Sequence, residues 1–439
     1  MWDVIVVGAR TAGAPLAMLL ARAGLRVLLT DRAAFPSDTI STHQMQVPAA
    51  ARLARWGLLD TIAAVTPATA RIRLDAGGAV VEGRCPSYGG ISAMYSPRRT
   101  LLDAVLVDAA RAAGAEVRER FTVKELLWTN GWVTGIRGRE QGGWPVTETA
   151  RLVVGADGKH SFVADGVGSP RYRRRAAATV ASYTYWAGVP MTGGELYQRP
   201  ERAAAAFPTN DGLTMVYVAA PVREFASLRR NIEGHLLETV DGCGDLGERL
   251  RAGARVERIR TTPDLPNWLR IPSGPGWALA GDAGLVMDPV TAHGMSNAFT
   301  DADLLAAAIG ASLGGRVSLA QALAHYRANR DRRAVAMYDF TVSLAALPRR
   351  SSLPLLLKAL AGRPNEIDRL LATFAGVGPV DQYFSVRNLL PLLGPARMLR
   401  VAIRDGRRTL PLAARDGVMA TPTSELASAS VADPKASAR

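Results

Sequence analysis

Apolar residues follow two different spacings in the opening segment, and each spacing predicts a different element. The chain begins with the apolar run DVIVVGA, continues with the helically spaced APLAMLLARAG, and returns to an apolar run in RVLLTDR. We predict a strand, a glycine turn, a helix that ends at Gly24, and a second strand that ends at Asp31. Together these elements form a βαβ unit.

The glycine turn of this unit departs at one position from the phosphate-binding fingerprint G-x-G-x-x-G. Gly8 and Gly13 keep the tight turn and the close packing of helix on strand, but Arg10 replaces the middle glycine. An arginine is tolerated there if its Cβ points away from the phosphate, and its guanidinium could pair with that phosphate. The stretch alone leaves two interpretations, a phosphate loop with Asp31 on a ribose or a plain βαβ unit that binds nothing.

Further along, the spacing alternates between helical and strand-like. The predicted elements are a helix over 44–65 with a stop near Gly57, a hairpin over 71–83, a helix over 96–117, and antiparallel strands over 117–139 that turn at Asn130 and Gly131. Strand alternation returns in TVASYTYWAGVP and GLTMVYVAAP, where Tyr183, Tyr185 and Tyr217 would project from one face of a sheet. From Asp301 onward the pattern is almost wholly helical, and 421–439 is expected to be a disordered tail.

Composition changes the picture little. A chain of 439 residues with 48% hydrophobic and 21% charged residues is typical of a globular enzyme that is large enough to bury a cofactor. The first strand begins near Asp3, and no uncharged run approaches the roughly 18 residues of a membrane span. We therefore expect a cytoplasmic protein with no transmembrane segment.

The net charge of +14 does not by itself indicate nucleic-acid binding. All basic residues except Lys124, Lys159, Lys358 and Lys435 are arginine, and they are spread from end to end. The densest run, 171–175, is predicted to be a solvated loop. The two cysteines, Cys85 and Cys243, match neither a metal-binding spacing nor a disulfide framework.

Two further glycine turns repeat the opening theme. ARLVVGADGKHS, over 150–161, is a second apolar strand that runs into a turn at Asp157. GWALAGDAGLVMDPVTAHGMSNAFTDADLL, over 276–305, predicts a strand, a turn with Asp282, a break at Pro289 and a helix that begins at Gly294. That helix N-terminus suits an electron-rich carbonyl or a developing anion, and Asp282 is placed to bind a polyol.

These motifs, in this order and spacing up to about residue 345, resemble the FAD-dependent class A flavoprotein monooxygenases of the para-hydroxybenzoate hydroxylase fold. That family is related to geranylgeranyl reductases and flavin-dependent halogenases. The resemblance implies an α/β chain, α+β overall, in which a Rossmann-like FAD-binding domain is intergrown with a β-sheet substrate domain. The implied division is 1–70, 96–165 and 270–330 for FAD, 71–95 and 166–269 for substrate, 331–420 for a helical C-terminal region and 421–439 for the tail.

The resemblance also implies which residues meet the cofactor. Gly8 and Gly13 would frame the pyrophosphate, Asp31 the adenosine ribose, Arg99 the pyrophosphate and ribitol, and Asp282 the ribitol. Gly294 and Met295 would present N–H groups to the flavin pyrimidine, with Pro289 above the ring, and Asp157 matches a motif tied to FAD and nicotinamide. The full implied set is Gly8, Arg10, Gly13, Asp31, Arg32, Arg99, Val123, Asp157, Asp282, Pro289, Gly294 and Met295.

Three positions depart from the family pattern: Arg10 replaces the middle glycine, Gly284 and Leu285 stand where a histidine is common, and Ala292 replaces a late glycine. In the resembled family NAD(P)H reduces the flavin, O2 adds to form a C4a-hydroperoxide, and one oxygen passes to an aromatic or polyketide-like substrate. Only one dinucleotide fold is visible, so NAD(P)H would bind transiently or a separate flavin reductase would supply electrons.

Other chemistries stay open at this point. A halogenase would need a catalytic lysine and a Trp-x-Trp-x-Ile-Pro signature, of which WLRIP over 268–272 keeps only part. A reductase of a prenyl or lipid substrate is open because LPLLLKALAG and its neighbours could form an apolar surface, although core-packed helices explain them as well. A flavin-binding protein without catalysis is a third class.

Five side chains are candidates for acid, base or substrate contacts. His43 and His293 flank the predicted cofactor segments and could act as acid or base, or each could have a purely structural role. Tyr183, Tyr185 and Tyr217 could line the substrate pocket or belong to an ordinary sheet core.

Overall fold

The computed structural model describes residues 1–405 of the chain. Its strands are β1 (Trp2–Val7), β2 (Val27–Thr30), β3 (Arg71–Ala76), β4 (Ala79–Arg84), β5 (Glu116–Arg118), β6 (Phe121–Thr129), β7 (Trp132–Glu140), β8 (Pro145–Gly155), β9 (Arg171–Arg175), β10 (Thr179–Ala187), β11 (Gly194–Arg199), β12 (Arg202–Pro208), β13 (Thr214–Pro221), β14 (Ala254–Arg255), β15 (Arg260–Thr262), β16 (Asn267–Arg270), β17 (Ser273–Gly274), β18 (Trp277–Leu279) and β19 (Leu285–Val286).

The α-helices follow the same chain numbering. They are α1 (Gly13–Arg22), α2 (Val47–Trp56), α3 (Leu59–Ala63), α4 (Arg99–Ala112), α5 (Phe162–Gly166), α6 (Phe225–Leu228), α7 (Ile232–Asp241), α8 (Leu246–Ala252), α9 (Gly294–Leu313), α10 (Leu319–Ala345), α11 (Leu353–Leu360), α12 (Pro364–Phe374), α13 (Val380–Tyr383) and α14 (Val386–Asp405). None of these helices has the length and apolar character that a membrane crossing requires.

The first sheet has β1 near its centre because this apolar strand is buried on both faces. Its order is β17-β18-β8-β1-β2-β5, and β7 and β6 extend it from β8. β1 runs parallel to β2 and β8, with Val7 in register with Thr30 and Gly155. Helices α1, α4 and α9 cover one face. Since the carboxyl ends of parallel strands meet at one edge, the turns after β1 and β8 lie together.

The second sheet carries the three tyrosines singled out in the sequence. Its order is β14-β10-β13-β12-β11-β3-β4, antiparallel except where β3 runs parallel to β11. Tyr217 stands opposite Tyr183 on one side and Ala205 on the other. One face packs against helices from α10 to α14, and the other packs against α7 and α8. This sheet is thus enclosed between two helical layers.

The predicted fold class is confirmed, and so is the predicted helix stop near Gly57, which ends α2 with φ of +78°. The helical stretch 44–65 is accordingly two helices, α2 and α3, but one other predicted element was wrong. The run 171–175 is not a loop: it is β9, which pairs with β16 while all four of its arginines stay exposed. Arg171 lies 4.3 Å above the ring of Trp268. The domain boundaries stay a prediction, and the predicted tail lies outside the described residues.

Candidate active site

Two glycines set the turn after β1, and a side chain on either would clash. Gly8 has φ of +101°, and a Cβ there would lie 2.4 Å from the carbonyl oxygen of Ala156. A Cβ on Gly13 would lie 1.8 Å from the carbonyl oxygen of Gly8. The glycines therefore allow α1 and the turn after β8 to approach β1 closely, which is the backbone geometry that the fingerprint provides.

Arg10, which replaces the middle glycine, hydrogen-bonds through its guanidinium to other side chains of the protein. Its Nη1 donates to Oδ2 of Asp103 at 2.6 Å and its Nη2 to Oγ of Ser37 at 2.7 Å. The fully buried Asp103 also accepts from Nε and Nη2 of Arg99, both at 2.9 Å. One carboxylate thus joins two arginines. Sequence reasoning missed Asp103, although its position four residues after Arg99 on a helix was a usable signal.

Asp31 holds the backbone of the turn. Its Oδ2 accepts from the N–H of Ala9 at 2.7 Å and its Oδ1 from the N–H of Ala33 at 2.8 Å. Each carboxylate oxygen can accept a second hydrogen bond, so a ribose contact is compatible with this geometry and stays a prediction. Its neighbour Arg32 is exposed, and Val123 lies on β6 and packs against the core beneath the first sheet.

Two more carboxylates lie at the turns after β8 and β18. Asp157 accepts from Oγ of Ser161 at 2.5 Å, and burial raises the pKa of its carboxyl. Asp282 is exposed although many protein atoms surround its carboxyl, so this side chain lies in an open cleft. Burial raises the pKa of Asp282 to about 6, against the opposing charges of Arg99 and Lys159. A carboxyl with that pKa is mostly ionised near pH 7 and can accept from hydroxyls.

Helix α9 begins beside this cleft. Gly294, its first residue, is exposed, and a Cβ there would meet no atom within 4 Å. The first N–H groups of the helix have no intrahelical partner and form the positive end of its dipole, whereas the Met295 side chain is buried. Gly281 donates its N–H to Oδ2 of Asp301 at 2.9 Å, and burial raises the pKa of Asp301 to about 7. Asp301 thereby ties α9 to the turn that carries Asp282.

His43 occupies a crowded and strained position next to these arginines. Its φ is +59°, in the left-handed region, and its side chain has no accessible surface. Nε2 makes a short hydrogen bond to the hydroxyl of Tyr185, while Nδ1 has no partner in residues 1–405. Tyr183 meets the imidazole edge to face, with ring centroids 5.6 Å apart. Burial, followed by the charge of Arg99, lowers the pKa of His43 to about 3, so the ring is neutral.

An apolar cavity of about 1050 Å³ lies between the second sheet and the C-terminal helices. It extends to 289–292, the segment that leads into α9, so Pro289 is part of its wall. None of the lining residues is charged, and Tyr217 is the one predicted tyrosine among them. The apolar wall includes Ile72, Leu74 and Met215 from the sheet and Leu347, Leu371 and Phe374 from the helical region. Sequence reasoning missed the helical contribution.

His293 faces a different cavity, so the structure does not bring the two predicted histidines together. Its Nε2 lies 2.9 Å from the carbonyl oxygen of Phe374, and burial lowers the pKa of the ring to about 4. The second cavity, of about 1190 Å³, has a mixed polar and apolar wall that includes Arg330 and Asp301. A Cβ on Gly376 would lie 2.7 Å from Cε1 of His293. This packing supports a structural role for His293 as much as a chemical one.

The residues at the cleft fit FAD. The glycine turn lets the backbone approach a ligand closely, Gly294 opens on free space, and the exposed Asp282 presents a carboxylate on which the charge of Arg99 acts. These are the donor and acceptor types that a pyrophosphate, a ribitol and a flavin pyrimidine require. Residues 1–405 contain no cluster of three His, Cys, Asp or Glu side chains that could hold a metal ion.

Comparison with known proteins agrees with this cofactor. The family model described as FAD binding domain matches residues 1–341. A tryptophan 2-halogenase from Chondromyces crocatus is 24% identical over 348 residues, which are 74% of this chain but 64% of the halogenase, so the match spans less than two thirds of that relative. A digeranylgeranylglycerophospholipid reductase from Methanocella arvoryzae is 27% identical over 326 residues, which cover 68% of this chain and 75% of the reductase.

Solved structures share the fold over most of the chain. The structure of pqsL, a probable FAD-dependent monooxygenase from Pseudomonas aeruginosa, superposes with a TM-score of 0.69 at 21% identity and covers 82% of this chain and 98% of its own. Flavin-dependent halogenases are also among the similar structures. At these identities the likeness establishes the fold alone.

Proposed function

The chain belongs to the FAD binding domain family of flavin-dependent oxidoreductases, and from this premise we propose that it is an FAD-dependent monooxygenase. In this proposal NAD(P)H, or a separate flavin reductase, provides electrons, and O2 provides the oxygen atom. The substrate is an aromatic or polyketide-like small molecule, and hydroxylation is the expected reaction. Epoxidation and Baeyer–Villiger insertion are variants of the same chemistry.

One observation carries the proposal: the apolar cavity ends at 289–292, the segment that leads directly into the N-terminus of α9. A substrate in this cavity would therefore lie beside the part of the cleft assigned to the flavin ring. The walls are uncharged and mostly apolar, so they exclude water from the reacting centre. Oxygen transfer requires that exclusion, because water diverts the activated oxygen.

Bound FAD would supply the redox chemistry, accepting electrons from NAD(P)H and activating O2 for transfer to the substrate. The chain supplies binding, orientation and charge. Asp282 would accept hydrogen bonds from ribitol hydroxyls, and the N–H groups at the start of α9 would stabilise negative charge that develops on the flavin pyrimidine. His43, neutral and hydrogen-bonded to Tyr185, can hold a proton at Nε2 or Nδ1 beside the cleft.

A reductase of a prenyl or lipid substrate is the second candidate. The same apolar cavity would suit a prenyl chain, and the Methanocella arvoryzae reductase is a relative over 68% of this chain. Relatives named as halogenases support halogenation, but a halogenase would need a catalytic lysine. None of the lysines in residues 1–405 lines the apolar cavity, and Lys159 pairs with Asp264 at 2.9 Å.

Mass spectrometry of products formed under ¹⁸O2 tests the proposal. The FAD-loaded enzyme would be supplied with NADPH or with NADH and a flavin reductase, in chloride- and bromide-containing buffer, against a library of neutral aromatic and polyketide compounds. A product that carries one ¹⁸O atom supports the monooxygenase. A product heavier by two hydrogens would establish the reductase instead, and a halogenated product would establish the halogenase. A non-catalytic flavin protein would be favoured if no compound increased the rate of flavin reduction or of flavin reoxidation above the rate without compound.

A further inference from the structure

The walls of the apolar cavity restrict the charge of what it can hold. All of its lining residues are uncharged, although the chain as a whole carries a net charge of +14. The carboxyl of Asp288, which precedes the lining residue Pro289, is buried and already accepts from Oγ1 of Thr179 at 2.5 Å and from the N–H of Val290 at 3.0 Å. A carboxylate or ammonium group placed in the cavity would therefore lose its hydration and find no partner of opposite charge.

Most polar groups in the wall are already committed to the protein. The amide nitrogen of Gln44 donates to Sδ of Met94 at 3.1 Å, and that of Gln46 donates to the carbonyl oxygen of Thr291 at 3.1 Å. Tyr197 donates its hydroxyl to Oε2 of Glu195 at 2.6 Å. Each of these side chains is therefore already held by a protein contact, although the glutamine amides keep a second N–H.

Tyr217 differs from these three residues. Its hydroxyl is buried and has no hydrogen-bond partner in the described chain, and among the lining residues it is the only one with such a side-chain atom. Burial raises the pKa of this phenol well above 10, so the hydroxyl stays protonated and can donate. A buried hydroxyl without a partner is unfavourable in the empty site, and a ligand that accepts from it removes that penalty.

We propose that the cavity selects an uncharged, mostly apolar molecule and that the Tyr217 hydroxyl orients it by donating to one carbonyl, ether or hydroxyl oxygen. This inference rests on the proposed function only in taking the cavity as the substrate site. It adds the charge class of the substrate and the residue that reads its polar group.

Equilibrium dialysis with three naphthalene probes tests the inference on the oxidised, FAD-loaded enzyme near pH 7 without any reductant. The probes are naphthalene, 2-acetylnaphthalene and 2-naphthoate, which share one ring system and differ in hydrogen bonding and charge. We expect 2-acetylnaphthalene to bind about 3- to 10-fold more tightly than naphthalene, the range for one hydrogen bond. We expect 2-naphthoate, which has nearly the same shape as the ketone, to bind at least about 30-fold more weakly than the ketone.

The variant Tyr217→Phe should remove the advantage of the ketone over naphthalene and leave naphthalene binding unchanged. Tyr383→Phe is the matched control, because its hydroxyl is also buried and unpartnered but does not line this cavity. Equal binding of naphthoate and ketone would overturn the inference, and so would an unchanged ketone advantage in Tyr217→Phe or no binding of either neutral probe. Since dialysis involves no oxygenation, an oxygen-transfer test that fails while this binding pattern holds would reject the monooxygenase and keep the neutral-ligand site.

Discussion

The cofactor cleft and the apolar cavity meet at 289–294, yet they are built in opposite ways. The cleft is assembled from glycine turns and from charged groups such as Arg99, Asp103 and Asp282. The cavity has no charged lining residue, and its walls come from strands and helices that are far apart in sequence. The cleft is therefore fixed by local backbone geometry, whereas the cavity depends on how distant elements pack together.

This difference implies two kinds of sensitivity to mutation. Changes in the cleft should act on FAD binding and on the fold, because the same backbone carries both. Changes in the cavity wall should act on the bound small molecule and leave FAD in place. Single substitutions in each region can show whether the two regions separate in this way.

Gly13→Ala should have the largest effect. The new Cβ would lie 1.8 Å from the carbonyl oxygen of Gly8, so α1 must move away from β1 and the turn must open. We expect the purified variant to retain less than about a tenth of the normal flavin and to unfold at lower temperature. The measurements are the flavin-to-protein absorbance ratio and a thermal unfolding curve.

Gly310→Ala is the control for this change. Gly310 lies within α9, and a Cβ there would meet no atom within 4 Å. Alanine is favoured over glycine in a helix by about 1 kcal/mol, so this variant should be as stable as the parent or more stable, with full flavin. Normal flavin content in Gly13→Ala would show that the glycine turn does not control cofactor binding.

Ala205→Phe should have the next largest effect, on the cavity alone. Ala205 lines the cavity and stands opposite Tyr217 on the neighbouring strand, so the added ring would occupy ligand space. We expect the affinity for 2-acetylnaphthalene to fall about tenfold or more while the flavin content is unchanged. Ala205→Val should show a smaller loss of the same kind. Loss of flavin together with probe binding would contradict the separation of the two regions.

The cleft was predictable to the extent that its geometry is local. A glycine turn that leads into an apolar helix predicts the role of Gly8 and Gly13. An acidic residue directly after a strand predicts the roles of Asp31 and Asp282. Sequence alone could not show that Arg10 pairs with Asp103, because that contact joins residues 93 positions apart. The family resemblance indicated a cofactor, but only the folded structure shows which residue pairs with Arg10.

The cavity was less predictable, because no single helix or strand outlines it. The alternation in the strands placed the three tyrosines on one sheet face, but only packing shows that Tyr217 borders the cavity while Tyr183 and Tyr185 contact His43. Leu371 contributes from α12 and Leu347 from the segment after α10, and both lie in sequence that is equally typical of an ordinary core. The inference that the ligand is uncharged requires the complete set of residues that line the cavity.

Asp282→Asn should separate cofactor binding from stability. The pKa of Asp282 in the fold is about 6, above the ordinary 3.8, because burial disfavours its charge. Its stabilising contribution is therefore fully present below about pH 4 and is lost as the pH rises through 6. The FAD-free variant should be more stable than the parent at pH 8 and equally stable at pH 4, as measured by urea unfolding.

The same variant should bind FAD about 10- to 100-fold more weakly at pH 8, since it loses a hydrogen-bond acceptor that is charged. A titration of the FAD-free protein with FAD measures this change. Asp381→Asn, at an exposed position away from the cleft, should alter neither quantity. A variant that loses both stability and FAD affinity at pH 8 would show that Asp282 supports the fold rather than the cofactor.

Tyr185→Phe should have the smallest effect and should leave both regions working. His43 lies between them, since Thr42 and Gln44 line the cavity while Arg99 acts on the His43 pKa. Loss of the Tyr185 hydroxyl leaves both imidazole nitrogens without a partner in a buried site, which costs about 1–3 kcal/mol of unfolding free energy. Unfolding should be measured at about pH 8, above the ordinary histidine pKa of 6.5, where His43 is neutral in both the folded and the unfolded state.

Tyr383→Phe is the control and should cost nothing comparable, because the Tyr383 hydroxyl has no hydrogen-bond partner in the described residues. Unchanged stability in Tyr185→Phe would mean that the short contact to His43 contributes nothing to the fold, and a change in flavin content or probe affinity would mean that His43 couples the cleft to the cavity.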